Sequence, residues 1–190
     1  MLTEYFKMTS FQLNPALFLD RDGVINREVG HISTISKIEF SEDIFELCRF
    51  FKNKFFKIII ITNQSGIGRG MISIDQYDKI NEYIFDKFKF EKCDIDLIKT
   101  SFMDPRQQNP SQNEIFRRKP NPGLILESEL QLNLDLTKSL LIGDNLTDMQ
   151  AGRSAGIPRL YLIGKPSIHS DYFESFIDVK SCLKRLKNVF

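Results

Sequence analysis

A chain of 190 residues is long enough to bury one substantial core and needs only one domain, while 42% hydrophobic content with 17 phenylalanines excludes disordered and fibrous classes. Its 26 basic residues against 25 acidic ones exclude a general attraction to nucleic acid or anionic membrane, so neither partner is expected and any anionic ligand must be recognised locally. Cys48, Cys93 and Cys182 are widely spaced and odd in number, and the start Met1-Leu-Thr-Glu-Tyr-Phe-Lys7 lacks an apolar signal segment; a cytoplasmic monomer with reduced thiols is expected.

Residues 1–14 have mixed polarity and no period, and are read as an N-terminal extension to a domain spanning 15–190. Ala16–Leu19 is an apolar run that stops abruptly at Asp20-Arg-Asp-Gly23, the pattern of a buried parallel strand entering a functional loop. Ile44, Phe45, Leu47, Cys48, Phe50 and Phe51 recur at helical spacing behind Ser41-Glu-Asp43. Four consecutive isoleucines, Ile58 to Ile61, predict a second buried strand that ends at Thr62-Asn-Gln-Ser65.

Ser73 and Gln76 make a capping box for a helix carrying Tyr77, Ile80, Tyr83, Ile84 and Phe88, and 95–101 is the third strand. Residues 102–118 are polar, contain Pro105 and Pro110, and are read as a long exposed loop. Asn121 and Pro122 look like an N-cap and first helical position, with Leu124, Ile125 and Leu130 behind. A fourth strand, 139–142, again stops at an acid, Asp144; a helix from Thr147 to Ala155 is closed by Gly156, and 159–163 is the fifth strand. The tail adds a short strand near Ile177 and a helix from Ser181 whose Lys184-Arg-Leu-Lys187 is an ordinary polar face.

Alternating strands and helices predict an α/β fold: a three-layer, doubly wound, Rossmann-like, mainly parallel sheet without a large cap domain. Ligands of such sheets sit beyond the carboxyl ends of the strands, so Asp20, Asp22, Thr62, Asn63, Asp144 and Asp148 are expected to converge. The glycines of Ser65-Gly-Ile-Gly-Arg-Gly70 have the wrong spacing for a dinucleotide loop; they are read as letting the backbone approach a substrate.

With only His31 and His169 in the chain, a zinc-type centre has little support, whereas hard carboxylate oxygens from Asp20 and Asp144 suit Mg²⁺. A carboxylate can also attack phosphorus: Asp20 as nucleophile and Asp22 as general acid and base form one unit. Phosphoryl transfer needs donors aimed at the equatorial oxygens, which Thr62, Asn63 and Lys119 supply. Asp148 either assists the cation or favours the start of its helix.

Asp20-Arg-Asp-Gly-Val24, Ile61-Thr-Asn-Gln-Ser-Gly66, Arg118-Lys-Pro-Asn-Pro-Gly123 and Gly143-Asp-Asn-Leu-Thr-Asp148 together resemble the four ordered motifs of the haloacid dehalogenase-like hydrolases. Their wording is similar to the branch of D-glycero-D-manno-heptose 1,7-bisphosphate phosphatases and histidinol-phosphate phosphatases, from about Ala16 to Pro166. The resemblance implies Mg-dependent phosphomonoester hydrolysis through an aspartyl-phosphate, acting on the 7-phosphate of a heptose bisphosphate, with histidinol phosphate or another small sugar phosphate as the alternative.

It assigns catalysis to Asp20, Asp22, Thr62 and Lys119, and the metal to Asp20, the Asp22 carbonyl and Asp144. Substrate contacts fall to Glu28, Gly30, His31, Asn63, Gln64, Ser65 and Arg118. Two departures stand out: residues 100–118 hold neither the cysteines nor the histidine that carry a structural zinc in that branch, so no zinc is expected, and Asn145 replaces a frequent lysine. The loop is expected to lean over the site regardless, held by packing and hydrogen bonds. A catalytically silent phosphate-binding module is the non-enzymatic alternative; the filled catalytic positions argue against it.

Overall fold

Residues 13–28, 30 and 32–190 are described by the computed structural model. The expected N-terminal extension lies outside them as far as residue 12, and so does His31. Asn14 is already tied down: its N–H donates to the Asn133 carbonyl at 3.2 Å and its own carbonyl accepts from Asp135 N at 2.9 Å.

The elements run β1 (Ala16–Leu19), α1 (Ile44–Lys52), β2 (Lys57–Asn63), α2 (Ser65–Gly68), α3 (Ile74–Phe90), β3 (Leu97–Ser101), α4 (Gln112–Arg117), α5 (Gly123–Leu132), β4 (Leu140–Gly143), α6 (Leu146–Ser154), β5 (Arg159–Ile163), β6 (Glu174–Phe176) and α7 (Val179–Lys187). The strands form one parallel sheet in the order β3-β2-β1-β4-β5-β6. From β1 the chain winds outward through β2 and β3, then crosses back to lay β4 against the other side of β1. That reversal opens a crevice between β1 and β4, where the peptide dipoles and loops of both strands meet.

The isoleucine run of β2 explains the layering. Successive side chains point to opposite faces, so Ile58 and Ile60 join Leu17, Leu19, Leu140 and Ile142 beneath α1, α3 and α7, while Ile59 and Ile61 join Phe18, Leu141 and Leu162 beneath α5 and α6. Both faces are covered, as the unbroken hydrophobic run requires. Between β1 and α1 the described residues form only a loop and a single 3₁₀ turn, Ile35–Lys37, leaving the carboxyl edge of the sheet open.

Several expectations shift. The loop 102–118 contains α4, too short to display a period; its signal was the Ser111-x-x-Glu114 capping box, in which each side chain satisfies the other residue's N–H. Helix α5 begins one residue later than expected, with Pro122 at the N-cap, because the Asn121 amide is engaged with the Ile115 carbonyl at 2.9 Å instead. Leu130 is not behind it but 80% exposed. The last strand precedes Ile177 and the last helix starts two residues before Ser181, where Asp178 caps it. Cys48, Cys93 and Cys182 are buried thiols.

Asp96 staples the opposite end of the sheet. Its carboxylate takes Lys52 Nζ at 2.9 Å, Lys57 Nζ at 3.0 Å and the Ile58 N–H at 2.8 Å. Burial pushes this carboxyl up, but the Ile58 N–H and the two ammonium groups outweigh it and hold the group below its ordinary value. A depressed folded value means the stabilisation is complete above the unfolded pKa, about 3.9, and disappears as pH falls through the folded value. Asp96→Asn is expected to cost about 1–3 kcal/mol in urea unfolding at neutral pH, with the gap to wild type closing progressively below about pH 4.

Candidate active site

Every strand that borders the reversal ends in a polar group. Asp20 follows β1, its N–H still donating to the Ile142 carbonyl at 3.0 Å; Thr62 and Asn63 close β2; Asp144 follows β4. They line a crevice of about 430 Å³ together with Asp22, Glu28, Arg118, Lys119, Asn145 and Thr147. A larger crevice of about 620 Å³ lies between α1 and α7, but its Lys180 and Lys187 are already paired with Glu42 and Glu46, and among the described residues its acids do not bring their oxygens together as a cation site would need.

Lys119 sits at the centre, almost wholly buried. Its ammonium is 2.8 Å from Asp20 Oδ1 and 2.5 Å from Asp148 Oδ1, and donates to the Ile61 carbonyl at 3.0 Å. Asp20 Oδ1 also accepts from Arg21 N at 2.7 Å. Both bonds fall on one oxygen, and among the described residues Oδ2 has no protein partner. It remains available to the crevice.

Asp20, Asp144 and Asp148 bring carboxylate oxygens within 4.8 Å of one another. One ammonium cannot neutralise three acids. Burial, and then the negative charge of Asp148, raise the Asp20 carboxyl well above its ordinary value despite Lys119, and the same two causes push Asp144 up to about 6. Burial works against the Lys119 charge, but Asp148 and Asp20 outweigh it and keep the amine protonated. Asp148 Oδ1 is buried and makes no directed hydrogen bond, while Oδ2 accepts from Asn145 N at 3.0 Å and caps α6. Such hard, crowded, under-neutralised oxygens fit a divalent cation. Asp148, weighed at the sequence level between helix start and cation site, serves the helix and also completes the acidic cluster.

Asp22 belongs to a different circle. It is bound by Arg21 through Nε at 3.2 Å and Nη2 at 2.9 Å, by Asn26 Nδ2 at 3.0 Å and by Gln64 Nε2 at 2.7 Å. Burial raises this carboxyl, but Arg21 with the amide donors prevails, and the net shift is downward. Two carboxylates two residues apart are thereby separated in acidity by their surroundings.

The remaining expected residues divide. Glu28, Asn63 and Arg118 line the crevice. The Asn63 amide spans the Lys119 backbone, donating to its carbonyl at 3.1 Å and accepting from its N–H at 3.2 Å. Gln64 is buried behind Asp22 and also donates to Thr62 Oγ1 at 2.9 Å. Ser65 opens α2, and Gly30 turns with φ +80°, its N–H donating to Glu28 Oε1 at 2.7 Å.

Arg21 and Asn26, and the steric role of the motif glycines Gly23 and Gly143, escaped sequence reading, although Arg21 stands between the two acids. A Cβ on Gly23, whose φ is +85°, would lie 2.2 Å from Asp144 Oδ2, and one on Gly143 would lie 2.3 Å from Asp148 Cβ. Of the glycines after Ser65, one packs against the neighbouring loop. Gly68 lets α2 touch the Phe102 carbonyl, which an added Cβ would meet at 2.2 Å.

Residues 116–166 match the family described as HAD-hydrolase-like. The chain is 38% identical over 172 residues to D-glycero-alpha-D-manno-heptose-1,7-bisphosphate 7-phosphatase of Campylobacter jejuni, spanning 90% of this chain and 95% of the relative. It is 42% identical to the like-named protein of Burkholderia mallei, spanning 79% and 80%. Among solved structures, a HAD-like phosphatase from Mesorhizobium loti superposes with TM-score 0.79 at 30% identity, covering 92% of this chain and 84% of that one. The D,D-heptose 1,7-bisphosphate phosphatase of B. bronchiseptica, complexed with magnesium and phosphate, superposes with TM-score 0.80 over 93% and 99%; at 19% identity it speaks for the fold.

Two substitutions test this geometry. Arg21→Met strands a largely buried Asp22 charge and is expected to cost about 3–5 kcal/mol in denaturant unfolding. Gly23→Ala must strain the backbone and displace Asp144, costing about 1–3 kcal/mol and weakening Mg²⁺ binding in calorimetric titration.

Proposed function

Because the chain belongs to the haloacid dehalogenase-like hydrolases, we propose that it hydrolyses phosphomonoesters with Mg²⁺, its substrate being a D-glycero-D-manno-heptose 1,7-bisphosphate cleaved at the 7-phosphate. The observation that carries the chemistry is the partnerless Asp20 Oδ2, facing a crevice whose other residues supply a buried ammonium, a hydroxyl and two further acids. The substrate reading is supported by relatives 38% and 42% identical whose names specify that reaction.

Asp20 Oδ2 attacks phosphorus, the P–O bond to the sugar breaks, and Asp22 gives its proton to the departing sugar oxygen. Asp22 then takes a proton from water as that water attacks the aspartyl-phosphate, and the P–O bond to Asp20 breaks to release inorganic phosphate. Lys119 and the Thr62 hydroxyl hold the equatorial oxygens of the transferring group. Asp20, Asp144 and Asp148, with the Asp22 carbonyl, would hold Mg²⁺, which neutralises phosphate charge when bound. For Asp22 to carry a proton, its clamp by Arg21, Asn26 and Gln64 has to loosen.

Both relatives just cited are named for the α anomer, whereas those of Yersinia pestis and Haemophilus influenzae, named for the β anomer, are 35% and 31% identical. The α anomer is therefore the proposed substrate.

Phosphate release is expected with Mg²⁺ and to vanish with EDTA, returning when Mg²⁺ is restored; Asp20→Asn should lower kcat by about 10³-fold or more. Turnover of histidinol phosphate equal to that of the heptose would overturn the substrate assignment, and a higher kcat/KM for the β anomer would overturn the anomeric one. Since Phe102 to Arg118 include no cysteine or histidine, metal analysis of the purified protein is expected to find no stoichiometric zinc.

A further inference from the structure

The segment that follows β3 is gripped from two sides. From α2, Gly68 presses on the Phe102 carbonyl, and Arg69 places Nε 3.3 Å from Asp104 Oδ1 as an ion pair off the hydrogen-bond direction. From the far end of the loop, Arg118 Nη1 donates to the Met103 carbonyl at 2.8 Å. Asp104 is also held by the more exposed Arg106, with Nη2 at 3.1 Å from Oδ2.

Met103 and Asp104 are adjacent, so whatever fixes the Asp104 carboxylate fixes the carbonyl on which Arg118 rests. The Met103 contact is the one hydrogen bond of the Arg118 guanidinium among the described residues, leaving its other donors for whatever enters the crevice it lines. Burial and then the nearby Arg69 charge work against the Arg118 guanidinium, and Asp104 works for it.

We infer that Asp104, braced by Arg69, is a positioning residue that aims Arg118 at the part of the substrate remote from the transferred phosphate. This rests on the function proposed above only in naming that substrate. A clasp of this kind acts through a planar guanidinium, whose usefulness depends on its orientation as well as its charge. Its loss should therefore be felt in the binding of substrates with a distal polar or anionic group, and not in the displacement at phosphorus.

Asp104→Asn is expected to raise KM for the heptose bisphosphate about tenfold with kcat held within about twofold, the scale of one charge-assisted hydrogen bond. Kinetics on p-nitrophenyl phosphate, which has no distal sugar, should stay in place. Arg69→Gln, approaching from the other side, should give the same KM shift, and Asp104→Glu should recover most of the loss. Combined with Arg118→Met, Asp104→Asn should add nothing further. Additive losses, or equal losses on both substrates, overturn the inference. If wild type cleaves p-nitrophenyl phosphate but not the heptose bisphosphate, the substrate reading fails alone; the ¹⁵N side-chain signal of Arg118 Nε then decides, expected to shift and broaden in Asp104→Asn. An unchanged signal would refute the clasp.

Discussion

A buried ammonium among carboxylates governs this molecule. Lys119 Nζ joins Asp20 at the end of β1, the Ile61 carbonyl in β2 and Asp148 in the first turn of α6, so three separate stretches of chain must be in place before its charge is compensated. Removing water from such a cation is costly unless its partners are close and well placed, which makes the crevice an all-or-none assembly. The same bonds that hold the site together also decide which of its oxygens are free. Lys119 and Arg21 N both occupy Asp20 Oδ1 and leave the other oxygen without a partner among the described residues.

Around that centre the protein keeps two acids apart by environment. Asp20 lies with Asp144 and Asp148 in an excess of negative charge, while Asp22 is wrapped by a guanidinium and two amides. Burial alone would have raised both carboxyls; the direction of each shift is set by which charges lie nearby, and a cation held beside Asp20 would favour its ionised form. Gln64 links the Asp22 circle to β2, donating to Asp22 and to Thr62.

The substrate side is built differently. Loop 102–118 is secured by a capping box at Ser111, a glycine contact at Gly68 and arginines converging on Asp104, all of them ordinary polar and steric contacts. Asp20, Thr62 and Asp144 thus stand at or just past strand ends, whereas Arg118 and Lys119 reach the crevice from the far end of this loop.

The strand runs were legible because a parallel sheet covered on both faces demands unbroken apolar stretches, and β1, β2 and β4 run into Asp20, Thr62–Asn63 and Asp144. Four consecutive isoleucines announced β2; Asp20, Thr62, Lys119 and Asp144 announced the site by residue type and order. Short-range contests were not legible: α4 has too few residues for a period, and Asn121 yields the N-cap because its amide reaches the Ile115 carbonyl. Nor could the linear chain disclose that Arg21 turns back onto Asp22, that Gly68 serves Phe102, or that Asp148 both caps a helix and pairs with Lys119. Sequence by itself determined which elements form and which chemical groups stand at their ends, since periodicity and residue type are local properties. Only the tertiary structure decided which charges meet, because acidity and pairing depend on distances of a few ångströms between residues far apart in the chain.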